Sequence, residues 1–187
     1  MKIKIDDIPS LNKEVSTQAQ RHIDSLTKPI GSLGRLETLA IELAEMTGNP
    51  FPTVTPPATL LFASDHGVTA EGVSAYPKEV TAQMVLNFLV GGAAMNVFSR
   101  HIGAQFAIVD VGVSETITHE KLISRKIRRG TRNFVKEEAM TEAEAHEALS
   151  IGKDEAQNLI DNGAKCMIVG EMGIGNTTSA SALLAAI

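Results

Sequence analysis

The chain has 187 residues, long enough for one well-buried domain, and its 43% hydrophobic residues with only 4% aromatics predict a mainly aliphatic core. A formal net charge of −5 argues against nucleic-acid and membrane-surface partners, and without a signal pattern or a long apolar span we expect a cytoplasmic protein. A single cysteine, Cys166, excludes an internal disulfide and a cysteine-rich metal site.

Two amphipathic helices are predicted near the start of the chain. The first covers residues 10–26, where apolar residues recur at helical spacing, and the sequence KPIG that begins at Lys28 ends it. The second begins at Ser32, a plausible N-cap, and ends at Gly48.

A proline-rich link over residues 50–57 separates these helices from the rest of the chain. We therefore place a small helical subdomain at residues 1–50 and an α/β nucleotide-binding domain at residues 58–187. In the second domain, helical patterns alternate with apolar runs of strand length. The predicted strands are 58–63, 106–109 and 165–170. Because right-handed β-α-β crossings build parallel sheets, the predicted fold is a doubly wound, Rossmann-like parallel sheet with helices on both faces.

Several helices of the second domain have recognisable ends. Pro77 suits the first turn of a helix that ends at Gly91, and a further helix starts at Ala93. The sequence TEAE, from Thr141, has the capping-box spacing, and the helix that it opens ends before Gly163.

The basic residues are interpreted as solvated surface. Lys28 and Arg35 belong to the helical subdomain, and the only basic cluster of the chain lies at residues 125–132. In an acidic protein of this size, such charges usually face water.

The most informative stretch, GEMGIGNTT at residues 170–178, follows the last predicted strand and precedes a small aliphatic helix. Glycines let backbone N–H groups approach an oxyanion, and a helix N-terminus adds unpaired donors with partial positive charge. The stretch nearly matches the triphosphate-binding pattern G-x-x-x-x-G-K-[ST], but Asn176 replaces the lysine that reaches the outer phosphates. Two interpretations stay open: a turn that binds one phosphate beside Glu171, or a glycine-rich connection with an ordinary threonine N-cap.

Asp65 and His66 follow the first strand of the predicted sheet, and ligands of open α/β sheets gather beyond the carboxyl ends of the strands. The pair could orient a ligand or carry out proton chemistry; alternatively, Asp65 caps a turn and His66 is structural. Tyr76 and Met84 could form an apolar slot for a flat ring, although such residues more often belong to the core.

The last predicted helix has no stop signal. Residues 181–187, SALLAAI, are apolar to the end, without a glycine, a basic turn or a polar tail. We interpret the chain as cut short at its C-terminus.

Four segments occur in a fixed order along the chain. They are KPIGSLGRLE at 28–37, DHGV with EGV at 65–73, DVG at 110–112 and GEMGIGNTT at 170–178. Together they resemble the nicotinate-nucleotide–dimethylbenzimidazole phosphoribosyltransferase family of cobalamin assembly, and the resemblance covers essentially the whole chain. It favours the phosphate-binding interpretation of the glycine turn.

The resemblance implies a reaction and a set of site residues. The family transfers the phosphoribosyl group of nicotinate mononucleotide to 5,6-dimethylbenzimidazole, and this single-phosphate substrate requires neither a triphosphate-binding lysine nor magnesium. Glu171 is then the active-site carboxylate near the sugar. The residues of the nucleotide-facing turn are Gly173, Gly175, Asn176, Thr177 and Thr178, and those of the acceptor-base pocket are Asp65, His66, Tyr76, Gln83 and Met84. No metal or other cofactor is implied, and the expected assembly is a homodimer.

One departure from the family is evident. The family's chain is roughly twice as long, and its principal general base is a glutamate in a Gly-Glu-Gly type segment near the C-terminus that this sequence lacks. We therefore expect the chain as given to have little or no turnover alone. The alternatives are a non-catalytic nucleotide- or benzimidazole-binding protein, a degenerate triphosphate-binding domain, and a structural half that cannot fold by itself.

Overall fold

The computed structural model describes residues 9–187, which form two compact units, one up to Thr53 and one from Val54. The first unit holds helices α1, Lys13–Ser25, and α2, Arg35–Thr47. Asn12 caps α1, because its side-chain oxygen accepts the N–H groups of Glu14 and Val15. The buried residues of this unit's small apolar core are Val15, Ala19, Ile23 and Ala44.

Two predictions for the first unit were wrong in detail. Helix α2 begins after Gly34, which has φ 56°, so Ser32 is not its N-cap. The Lys28 ammonium lies 2.8 Å from the Glu37 carboxylate, with only 12% and 10% of the two side chains exposed. Lys28 is therefore an internal ion-pair partner, whereas Arg35 forms an exposed pair with Glu42.

The second unit is built on a four-stranded parallel sheet. Its strands are β1, Pro57–Ser64, β2, Gln105–Gly112, β3, Leu122–Ser124, and β4, Cys166–Met172, in the order β3-β2-β1-β4. This arrangement confirms the predicted α/β fold. The short strand β3 was not predicted, because three residues carry too little periodicity to be recognised.

Alternate residues of the central strands face two different cores, as the period of two in a strand requires. Leu61 and Ile108 pack with residues of α3, Val80–Leu89, whereas Leu60 and Val109 pack with residues of α5, Glu142–Asp161. The sheet therefore carries helices on both faces, as predicted.

The remaining elements complete the helical layers. They are a 3₁₀ helix, Gly67–Glu71, α4, Ala94–His101, and α6, Asn176–Ala186. The predicted capping box of α5 is confirmed, since the Thr141 side chain accepts the Glu144 N–H and the Glu144 carboxylate accepts the Thr141 N–H.

The expectation that no apolar span is long enough to cross a membrane needs correction. Residues Val80–His101 reach that length and hydropathy, with 39% of the most apolar window buried. In the structure this stretch is divided between α3 and α4, with Gly91 in the left-handed region between them. By itself, its composition is weak evidence for a membrane span.

The basic cluster at residues 125–132 is only partly a solvated surface, because Arg125 and Arg129 are exposed but most of its cations form ion pairs. Arg125 pairs with buried Glu155 at 2.7 Å, and Lys126 pairs with buried Asp110 at 2.9 Å. Arg132 lies 2.8 Å from the Glu144 carboxylate. These ion pairs fix the segment across the ends of the strands, where it forms part of the candidate site.

Candidate functional site

The carboxyl ends of β1 and β4 bring the predicted site residues together. The two strands are parallel neighbours, with Phe62 paired to Glu171 and Ala63 to Met172. His66 and Gly173 therefore follow adjacent strands. A Cβ atom added to Gly173 would lie 2.2 Å from the Ser64 carbonyl oxygen and 2.8 Å from the His66 ring, so only glycine fits this approach.

Glu171 is exposed at this edge of the sheet, and one of its carboxylate oxygens accepts a hydrogen bond from the Asn176 side-chain amide. It borders a cavity of about 430 Å³ between the strand ends and α6. His66, Asn176 and Thr177 border the same cavity. The carboxylate therefore does not point into the packed interior.

His66 lies between this cavity and a larger one, since it borders both. Burial lowers the pKa of His66, although the nearby charges of Glu171 and Asp65 act in the opposite direction. The Nδ1 atom of His66 lies 3.0 Å from the Ser179 hydroxyl. Sequence analysis missed Ser179, because nothing in its local pattern marks it as a partner of a residue 113 positions away.

The glycine turn leads into α6 through Gly175, which has φ 87°. Three of its amides already have internal acceptors. The Ile174 N–H donates to the Thr81 hydroxyl at 3.1 Å, the Asn176 N–H to the Gly173 carbonyl at 3.0 Å, and the Thr177 N–H to the Asn176 side-chain oxygen at 2.8 Å.

The amides of Gly173, Gly175 and Thr178 have no hydrogen-bond acceptor within the described residues. The turn is thus less open than a bare glycine cradle. The side chain of Asn176 contacts both Glu171 and the first turn of α6, so an anion binding here would compete with it.

The larger cavity measures about 660 Å³, within the usual range for small-molecule pockets. Asp65, His66 and Tyr76 border it, together with Arg129 of the basic segment. Tyr76 is 67% exposed.

Gln83 and Met84 do not border the cavity that Tyr76 borders. Gln83 is exposed on α3, and Met84 packs against the buried core of the sheet. The slot predicted between Tyr76 and Met84 is therefore not seen here. The structure brings together three of the five residues assigned to the acceptor-base pocket.

Within residues 9–187, no group of three or more His, Cys, Asp or Glu side chains is arranged to hold a metal ion.

Comparison with known proteins identifies a matching family and several relatives of this chain. A family model described as "Phosphoribosyltransferase" matches residues 8–187. Curated relatives named nicotinate-nucleotide–dimethylbenzimidazole phosphoribosyltransferase include one from Chloroflexus aggregans, 51% identical over 98% of this chain, and one from Halalkalibacterium halodurans, 49% identical over 100% of it. The chain spans about half the length of the curated relatives it matches, 52% of each of these two.

A solved structure supports the same relationship. The crystal structure of the nicotinate-nucleotide–dimethylbenzimidazole phosphoribosyltransferase from Thermus thermophilus matches with a TM-score of 0.89 and 48% sequence identity. The match covers 94% of this chain and 54% of the Thermus chain.

Proposed function

Because the chain belongs to the phosphoribosyltransferase family whose curated members are named nicotinate-nucleotide–dimethylbenzimidazole phosphoribosyltransferase, we propose that it takes part in that reaction. Nicotinate mononucleotide is the phosphoribosyl donor and 5,6-dimethylbenzimidazole the acceptor. The products, α-ribazole 5′-phosphate and nicotinate, belong to assembly of the lower nucleotide loop of cobalamin. We further propose a cytoplasmic location and, from the family resemblance, a homodimer without nucleic-acid or membrane partners.

The observation that carries this proposal is the position of Glu171. Its exposed carboxylate stands at the carboxyl end of β4, in a cavity shared with His66 and the start of α6. Displacement at the anomeric carbon develops positive charge on the sugar, and a fixed carboxylate nearby stabilises that charge. Glu171 is the residue of this chain to which we assign that role.

The start of α6 suits one phosphate. The unpaired amides of Gly175 and Thr178 and the partial positive charge of an 11-residue helix favour an anion there. Gly173, Thr177 and Thr178 belong to the same turn, and Asn176 takes the place of the lysine of triphosphate-binding loops. The proposed ligand is therefore a monophosphate.

The larger cavity is the proposed acceptor site. Asp65, His66 and Tyr76 border it, and its volume of about 660 Å³ is ample for a bicyclic aromatic base. Gln83 and Met84 remain assigned to the acceptor only through the family resemblance.

A second candidate function is binding of the nucleotide or the base without catalysis. It is favoured by the hydrogen bond from the Asn176 side-chain amide to one oxygen of Glu171, which ties the two side chains together in the free protein. We propose that residues 1–187 alone bind substrate with little turnover.

A chimera separates these candidates. Residues 1–187 would be joined to the part of the Thermus thermophilus relative that follows its matched region, and product formation from both substrates would be measured by chromatography. We expect the chimera to form α-ribazole 5′-phosphate and the 187-residue chain to form little or none while still binding nicotinate mononucleotide. Binding without turnover in a folded chimera would favour the binding protein, and absence of both would reject the proposal.

A further inference from the structure

A further cavity lies away from the site described above, in the corner between α3, α4 and the start of β2. It measures about 340 Å³, within the usual range for small-molecule pockets. It shares no lining residue with the two cavities at the carboxyl ends of the strands. A ligand in this cavity would therefore not occupy the proposed reaction site.

The body of the cavity is apolar and aromatic. Phe88 and Phe106 both line it, with their ring centroids 6.2 Å apart and their planes inclined by 20°. Leu89 and Ile108 line it as well, and both belong to the buried core of the sheet. These walls favour a flat hydrocarbon ring, because such a ring packs well against aromatic side chains.

Most polar groups of the walls already have partners within the protein. The Ser99 and Thr59 hydroxyls lie 2.8 Å apart, and the Gly91 N–H donates to the Phe88 carbonyl at 3.1 Å. The Asn96 side-chain amide donates to the same carbonyl at 3.2 Å, and its unpaired oxygen is itself buried. The walls thus offer little to the polar group of a ligand, which is expected to meet the cations at the rim.

Two cations stand at the rim of the cavity. Arg100 is exposed on α4, and its guanidinium donates to the carbonyl of Gly91, another lining residue, at 2.7 Å. This bond holds the guanidinium against the cavity and uses one of its five N–H groups. Lys121 lines the same cavity and is exposed. Neither side chain forms an ion pair within residues 9–187.

The charge of this rim is unusual for the chain. No aspartate or glutamate is found among the described residues that line the cavity, although the sequence has 22 acidic and 17 basic side chains. The rim is therefore locally positive in an acidic protein. A guanidinium pairs best with a carboxylate, through two parallel hydrogen bonds. Charge and walls together indicate a compact ring that carries one carboxylate.

We propose that this cavity binds a small aromatic monocarboxylate. The ring lies against Phe88 and Phe106, the carboxylate pairs with the Arg100 guanidinium, and Lys121 adds a second positive charge at the rim. The site is separate from the proposed reaction site, and its existence does not depend on the proposed function.

The test compares benzoate with benzamide, which has the same ring but no negative charge. NMR titrations of the 187-residue chain measure the affinity for each compound, and the amide resonances of Gly91 and Ala104, which line the cavity, locate the binding. Arg100→Gln removes the guanidinium. Arg21→Gln, which removes an exposed arginine on α1, is the matched control.

We expect benzoate to bind saturably and about 10-fold or more tightly than benzamide, as hydrogen bonds between charged groups predict. The largest shifts should occur at Gly91 and Ala104. Arg100→Gln should lower the affinity for benzoate about 10-fold and change that for benzamide by less than about 2-fold. Arg21→Gln should change neither affinity.

Three results would overturn the inference and leave the proposed function intact. The first is an unchanged affinity for benzoate in folded Arg100→Gln. The second needs no variant: equal affinities for benzoate and benzamide, or no saturation up to about 10 mM benzoate. The third is a set of shifts confined to residues 173–178 or to the surroundings of Tyr76, which would place benzoate in the proposed reaction site.

Discussion

Gly173 is the residue on which the closeness of the two strand ends depends. An alanine there would place a methyl group 2.2 Å from the Ser64 carbonyl oxygen and 2.8 Å from the His66 ring, and neither of these groups is free to move away. We expect Gly173→Ala to lower the free energy of unfolding by about 1–3 kcal/mol, as overpacking does. Chemical denaturation measures this change in the free energy of unfolding. Gly152→Ala is the control, because that Cβ meets nothing within 4 Å inside α5 and should stabilise by up to about 1 kcal/mol. Equal effects of the two substitutions would contradict the packing described here.

Glu171 should matter for chemistry far more than for folding. We expect Glu171→Gln to lower kcat/KM of the chimera about 100-fold or more, because a neutral amide cannot stabilise the cationic sugar. Since the side chain is exposed, the free energy of unfolding should change by less than about 0.5 kcal/mol. Glu147→Gln on α5 provides a matched, exposed control. An unchanged kcat/KM in a normally stable Glu171→Gln chimera would remove Glu171 from the mechanism.

For single residues, the sequence predicts well which of them lie at the strand ends but predicts their contact partners poorly. Asp65, His66 and Glu171 could be assigned to one edge because the carboxyl ends of parallel strands coincide. Ser179, which contacts His66, and Thr81, which holds Ile174, could not, since these contacts depend on how helices pack on the sheet. Lys28 was mistaken for a solvated charge because its ion pair likewise depends on tertiary packing.

At the scale of structural elements, the clearest prediction about the pH dependence of stability concerns the unit that contains α1 and α2. A hydrogen bond from Lys28, followed by one from the Leu33 N–H, lowers the pKa of Glu37 below its ordinary value. A carboxylate with a lower pKa in the folded state stabilises it at neutral pH, and this contribution is lost as the pH falls through the lowered pKa.

Lys28→Met should therefore raise the pKa of Glu37 and weaken the pH dependence of unfolding in the acidic range, with the free energy of unfolding itself lower at neutral pH. Titration of the Glu37 carboxyl carbon by NMR measures the shift, and Arg35→Met, which removes only an exposed pair, is the control. A Glu37 pKa that is the same with and without the Lys28 ammonium would contradict this description of the ion pair.

Elements with strong local signals were predicted closely, and those fixed by tertiary contacts were not. The capping box of α5 could be predicted because both of its partners lie within four residues of sequence. Strand β3 and the ion pairs of residues 125–132 could not, because the partners of that segment lie on α5 and β2. Because these tertiary contacts also place Arg129, the sequence did not predict that Arg129 forms part of the wall of the larger cavity.

For the whole molecule, the fold follows from the alternation of strands and helices, whereas the proposed reaction rests on family membership combined with the geometry of one sheet edge. The described residues place Glu171, His66 and the start of α6 around one cavity, and Asp65 beside another. We therefore expect residues 1–187 to hold the ligand-binding edge whether or not they complete the reaction alone.

The most direct test of this expectation is an NMR titration of the 187-residue chain with nicotinate mononucleotide. We predict saturable shifts that are largest at the amides of Gly175 and Thr178, which have no acceptor within the described residues, and at the Asn176 side-chain amide as it is displaced from Glu171. A spectrum that does not change up to millimolar ligand, a range that covers usual substrate affinities, or that changes only far from this turn, would contradict the account.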